Sequence, residues 1–126
     1  MKLYSFIETE VFRRQIDESL DLLTAIQDDL LKKPDRWPVI RGTGGVRKGR
    51  IADPESSRGK SGSFRYLYLY LEHRGRIYLL YLFAKKKQGN LSAEQKKIVA
   101  GLVRQIKEAI DEANDDQASE VEEGNQ

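Results

Sequence analysis

Apolar residues in this chain follow two rhythms, one of threes and fours and one of nearly unbroken runs, and the switch between them marks out the elements. Leu3 to Ile7 is short, weakly alternating and rich in aromatic and β-branched side chains, which suits a strand. Thr9 follows as an N-cap, with Glu10 in the first turn where the helix dipole favours an anion. From there Phe12, Ile16, Leu20, Leu23, Ile26 and Leu30 recur at helical spacing and predict one apolar face, which Ser19 can divide into two helices by capping the second. The pattern stops at Lys33-Pro34, because the residue before a proline is pushed out of the α region, and Lys32 and Lys33 suit a last turn.

Pro34 to Gly45 reads as a connection, with Trp37 packing on the edge of the core. Val46 to Ala52 is a short strand, followed by a turn-rich loop from Asp53 that runs into Arg58-Gly-Lys-Ser-Gly62. Phe64 to Leu71 is the strongest strand: Phe64, Tyr66, Tyr68 and Tyr70 share one face, Arg65, Leu67, Leu69 and Leu71 the other. Two apolar faces predict a central position in a sheet. Glu72-His-Arg-Gly75 closes a hairpin into a second such strand, Arg76 to Phe83. Ser92 and Gln95 form a capping box before a last helix, whose stripe is Ile98, Leu102, Ile106 and Ile110 with Val99 and Val103 beside it. The order of strand, one or two helices, three strands and helix, with antiparallel hairpin-linked strands, predicts an α+β domain.

At 126 residues the chain reads as one domain with its own core. With no cysteine it has no disulfide, thiolate metal site or cysteine nucleophile, and its one histidine, His73, falls in a turn. No metal or other cofactor is expected. No apolar run is long enough for a membrane span and the start lacks a secretory signal, so a cytoplasmic protein without membrane contact is the simple reading.

Charge adds a sharper constraint. Between residues 36 and 87 stand thirteen Lys or Arg against three acids, whereas residues 111–126 hold seven acids and no Lys or Arg. The reading divides the chain into a domain over 1–110 and an acidic tail over 111–126, too poor in apolar side chains to order itself and able to lie over the basic surface and weaken its grip on nucleic acid. The basic block suits phosphate. Gly42-Thr-Gly-Gly45 leads into a strand and not a helix N-terminus, so it reads as a turn, and Gly59-Lys60-Ser61 lacks the spacing of a nucleotide-binding loop. Lys48 and Arg50 share one face of a strand, Arg65 begins the central strand, and Lys85-Lys86-Lys87 ends the next. If these strands are neighbours, their cations meet beside an aromatic-rich sheet suited to stacking bases; a merely solvated rim is the competing reading. On RNA the accessible reaction is attack by a ribose 2′-hydroxyl on its own phosphate. Clustered cations suit it, because like charges nearby lower a lysine pKa towards proton acceptance while arginine stays charged.

The segments Phe6-Ile-Glu-Thr-Glu-Val-Phe12, Val39-Ile-Arg-Gly-Thr-Gly-Gly-Val-Arg-Lys48, Gly59-Lys-Ser-Gly-Ser-Phe-Arg-Tyr66, Phe83-Ala-Lys85 and Asn90-Leu-Ser92 resemble the RelE/HigB toxins of bacterial toxin–antitoxin pairs, the HigB branch most closely. The resemblance covers about residues 3 to 110. It implies a compact RelE-like domain with a twisted, mainly antiparallel four-stranded sheet, one or two N-terminal helices and a C-terminal helix. It implies a ribosome-dependent mRNA endonuclease that inhibits translation, a neutralising cognate antitoxin, often a helix-turn-helix protein, and contact with operator DNA only through that antitoxin. Carried onto this sequence, Lys48 and Arg50 match the family's two basic positions on the second strand, with Lys48 as base. Arg65 matches the arginine that stabilises the phosphorane, and Lys85 and Lys86 match the basic pair after the last strand. Arg41, Arg47, Arg58, Lys60, Arg74, Arg76 and Lys87 are left as a docking set for ribosomal RNA. Where relatives place a tyrosine or histidine near the C-terminal side, this chain has Gln88, Asn90 and Ser92, so the leaving-group acid is unassigned. Two other readings stand beside this one: a ParE-like toxin that poisons DNA gyrase without catalysis, and a nontoxic basic corepressor or RNA-binding module.

Overall fold

The computed structural model describes residues 3–54, 63–83 and 90–124, with side chains as far as Ala113. In chain order the elements are β1 (Ser5–Glu8), α1 (Glu10–Ile16), α2 (Leu20–Lys32), β2 (Val46–Ala52), β3 (Ser63–Leu71), a 3-10 turn (Glu72–Arg74), β4 (Arg76–Phe83) and α3 (Ala93–Gly124). The four strands form one sheet in the order β1-β4-β3-β2; β1 runs parallel to β4, and the other two pairings are antiparallel. This is the expected α+β architecture. The chain forms two compact units, Met1–Arg41 with Gly45–Asn90, and Gly42–Gly44 with Leu91–Gln126.

In the first unit the helices pack where sequence placed them, with one change of phase. The Thr9 hydroxyl accepts from the Phe12 amide at 3.1 Å and caps α1. Asp17 then takes a positive φ of 53° with ψ −128° and breaks the helix before α2. The break re-aims α2, so its buried row is Leu22, Ile26 and Leu30, with Leu23 half-buried and Leu20 71% exposed. The expected stripe through Leu20 and Leu23 is corrected by that turn. Ser19 holds the N-cap position without a side-chain bond. Lys33 is extended before Pro34, as the proline requires. The helix residues Phe12, Ile26 and Leu30 share a buried core with Tyr66, Tyr68 and Leu79 of β3 and β4.

Two local devices shape the sheet. On β4, Leu67 pairs with Tyr81 and Tyr68 with Leu79, leaving Leu80 as an extra residue in the ladder. This bulge changes the alternation: Ile77 and Leu79 face the helices, and so does Leu82. Beyond β1's pairing with Arg76 to Leu79, α1 takes over the outer edge of β4. The Thr9 hydroxyl donates to the Leu80 carbonyl at 2.8 Å, and the Gln15 side-chain carbonyl accepts from the Leu82 amide at 2.8 Å. On β2, Gly49 lies opposite Tyr66, and a Cβ at Gly49 would meet Tyr66 Cζ at 2.3 Å. The missing side chain lets the ring cross the strand.

Asp29 on α2 ties the connection down. Its carboxylate pairs with Arg36 and accepts from the Trp37 indole N–H at 3.1 Å. Trp37 packs against the core, as its place in the sequence suggested, and Arg36 stacks over it at 4.5 Å.

In the second unit the Ser92–Gln95 capping box closes reciprocally, with Ser92 N to Gln95 Oε1 at 2.8 Å and Gln95 N to Ser92 Oγ at 3.1 Å. Among the described side chains of α3 the buried ones are Val103 and Ile110, whereas Ile98 is 67% exposed. The helix stripe therefore runs through Val99, Val103, Ile106 and Ile110, one position from the expected line at its start. Gly44 has φ +81°, and a Cβ there would stand 3.3 Å from Val103 Cγ1. The helix continues to Gly124, where Ala113, Gln117, Ala118 and Glu120 are good helix formers. Among the described residues no helix is long and apolar enough to cross a membrane.

Candidate functional site

Residues opposite one another across a ladder present side chains to the same face, so the register converts directly into rows. Arg50 on β2, Arg65 on β3 and Phe83 on β4 form one row, and Lys48, Leu67 and Tyr81 form the next. Adjacent strands lie about 4.8 Å apart and alternate residues of a strand about 6.7 Å apart. Lys48, Arg50 and Arg65 are thus gathered on the sheet face opposite α1 and α2, beside two aromatic rings. Tyr81 is 40% exposed and meets Phe83 edge-on, with ring centroids 4.8 Å apart. The bulge at Leu80 delivers both rings to this face. Without it, alternation from Ile77 and Leu79 would turn residues 81 and 83 towards the helices.

The arginines share one acceptor. Ser63 Oγ accepts from Arg50 Nε at 2.9 Å and from Arg65 Nη1 at 2.6 Å, and Ser63 itself is only 6% exposed. Like charges directly opposite in a sheet repel. An anion placed between the guanidiniums adds an attraction to each of them that offsets the repulsion.

The described members of the docking set, Arg41, Arg47, Arg74 and Arg76, do not share one place. Arg47 lies on the helix-side face, where its guanidinium donates to the carbonyls of Asp35 at 3.0 Å and Trp37 at 2.6 Å. Arg41 is exposed in the turn that precedes β2. Arg74 sits in the 3-10 turn, and Arg76 is paired with Leu71, six residues along β3 from Arg65 or about 20 Å. Arg76 donates to the Tyr78 hydroxyl at 3.4 Å. His73 shares the 3-10 turn, at that same far end. Arg58, Lys60, Lys85, Lys86 and Lys87, like Gln88, lie outside the described residues; Asn90 and Ser92 belong to the approach to α3. Among the described residues no three His, Cys, Asp or Glu side chains are grouped to hold a metal ion.

The helix-side tyrosines have a different character. Burial pushes the Tyr68 hydroxyl up to about 12, and that hydroxyl donates to the Pro34 carbonyl at 2.7 Å. Burial, followed by the nearby Asp29 carboxylate, raises Tyr66 further. Both are held as neutral donors within the core.

Three residues of this face were not among the site residues expected from sequence: Ser63, Tyr81 and Phe83. Ser63 was legible in principle, since it stands two residues before Arg65 and so shares its face. Tyr81 was not, because the run Ile77 to Phe83 is apolar throughout and gives no sign of a bulge.

A family model described as the RelE toxin of the RelE/RelB toxin–antitoxin system matches residues 13–123. Among solved structures, a mutant of the E. coli toxin RelE in the free state aligns with a TM-score of 0.47 at 13% identity, over 67% of this chain and 85% of that one.

Proposed function

The chain belongs to the RelE toxin family, the toxin side of a toxin–antitoxin system with a cognate RelB-type antitoxin, and we propose that it is an endoribonuclease that cuts mRNA on the ribosome. The observation that carries this reading is the gathering of Lys48, Arg50 and Arg65 into two adjacent rows of one sheet face, flanked by Tyr81 and Phe83. Lys48 accepts the proton of a ribose 2′-hydroxyl as that oxygen attacks the adjacent phosphorus. Arg65 and Arg50 hold the non-bridging oxygens and stabilise the added charge of the phosphorane. The P–O5′ bond breaks, the leaving oxygen takes a proton from solvent, and the products are a 2′,3′-cyclic phosphate and a 5′-hydroxyl end. Lys85 and Lys86 are proposed to complete the set, and Arg41 to meet ribosomal RNA. The aromatic rings offer stacking surface to an unpaired base.

Action in the cytoplasm follows from a ribosomal target. The Gly42 to Lys48 and Gly59 to Tyr66 segments favour the HigB branch, and a helix-turn-helix antitoxin would carry the pair to operator DNA. The test is to map mRNA 5′ ends in a translating extract with the protein and with Arg65→Ala. We expect codon-phased cuts that fall by at least about a hundredfold in the variant. Intact mRNA alongside inhibited DNA supercoiling would overturn the reading in favour of a gyrase poison.

A further inference from the structure

We propose that Ser63 is a positioning residue that joins Arg50 and Arg65 into one subsite for a single phosphoryl group; for RNA, the non-bridging oxygens of one phosphodiester, a detail that rests on the reading above. Ser63 opens β3 opposite Ala52, on the same face as Arg50 and Arg65, and is almost wholly buried. Its oxygen accepts from Arg50 Nε at 2.9 Å and from Arg65 Nη1 at 2.6 Å. A serine hydroxyl has two lone pairs and one proton. With both lone pairs engaged, the proton points away from the two guanidiniums and is the one hydrogen-bonding direction left to it. The unit so formed has a neutral donor between two planar cationic forks, which matches a tetrahedral anion with several oxygens.

A purely structural serine would satisfy one arginine and be indifferent to anions. Here one acceptor holds two cations that the ladder sets face to face, an arrangement that an anion lying across both guanidiniums stabilises. Ser63 fixes the side-chain torsions of both arginines before the anion arrives, so less ordering remains to be done on binding.

The arginine Nε–Hε signals of the 15N-labelled full-length protein report this directly during titration with inorganic phosphate. In the parent protein the Arg50 and Arg65 signals should move together along one binding curve. Ser63→Ala, whose melting temperature checks that it folds, should weaken that curve about tenfold and uncouple the two responses; Ser63→Thr, which keeps the hydroxyl, should restore the coupling. Unchanged coupled binding in Ser63→Ala, or arginines in the parent protein that ignore phosphate, would overturn the assignment. A parallel titration with an uncleavable 2′-O-methyl oligoribonucleotide separates the two readings. Coupled phosphate binding without oligonucleotide binding retains the subsite and removes RNA as its ligand, whereas oligonucleotide binding unaffected by Ser63→Ala retains RNA and removes the subsite.

Discussion

Gly49 stands between the two cations of β2 and has no side chain because Tyr66 occupies that space: the ring atom Cζ lies 2.3 Å from where a Cβ would be. Gly49→Ala must displace a fully buried ring, and the expected loss is about 1–3 kcal/mol by urea unfolding. In a double-mutant cycle with Tyr66→Leu most of that loss should vanish. On the opposite face, Tyr81→Ala should weaken binding of single-stranded RNA by about 1–3 kcal/mol, and Tyr81→Phe should leave it nearly intact, since stacking needs the ring and not the hydroxyl. The core tyrosines set an alkaline limit. With the Tyr68 hydroxyl raised to about 12 in the folded state against its ordinary value of 10.0, folded and unfolded chains bind the proton equally below pH 10. Above it the unfolded chain releases the proton first, so stability falls between pH 10 and 12 at up to about 1.4 kcal/mol per pH unit for this group. Tyr68→Phe should flatten that slope in unfolding curves taken across the range. Spacing made it legible in advance that Lys48 and Arg50 share a face, because alternate positions on a strand do; that Arg65 stands beside them needed the β2–β3 register. Ser63 was missed because a serine reads as loop polarity until its partners are seen.

Among the elements, caps and strand limits were legible from sequence because each has a local chemical cause, as at Thr9, Lys33 before Pro34, and Ser92 with Gln95. Phase was harder. The positive-φ turn at Asp17 moved the buried row of α2 to Leu22, and the bulge at Leu80 moved Tyr81 and Phe83 to the cation face; neither leaves a mark in an apolar count. The bulge is flanked by bonds to α1 and its cap: the Thr9 side chain donates to the Leu80 carbonyl and the Gln15 side chain accepts from the Leu82 amide. Gln15→Leu leaves a strand amide without its acceptor, and we expect a loss of about 1–3 kcal/mol, visible as a lower denaturation midpoint. Faster hydrogen exchange at the Leu82 amide would identify the cause. If that amide stayed as protected as in the parent protein, α1 would have no part in holding the bulge.

For the whole molecule, the formal charge of +2 is a sum of unlike parts, a basic sheet block and an acid-rich end to α3. Truncation after Ala113 removes five acids and no cation, taking the formal charge to +7. Nonspecific RNA binding should tighten and its dependence on salt should steepen. Unchanged affinity at low salt would show that the acidic end is neutral towards RNA. The topology has a further consequence in time. β1 is made first yet pairs with β4, Ser5 with Arg76, and the arginine row is completed only by Phe83. Contacts of such sequence separation form late, and during synthesis they must wait for the partner strand to be made. A ribosome translating this chain therefore carries, for most of the elongation period, a nascent polypeptide that does not yet possess the surface proposed to cut a message.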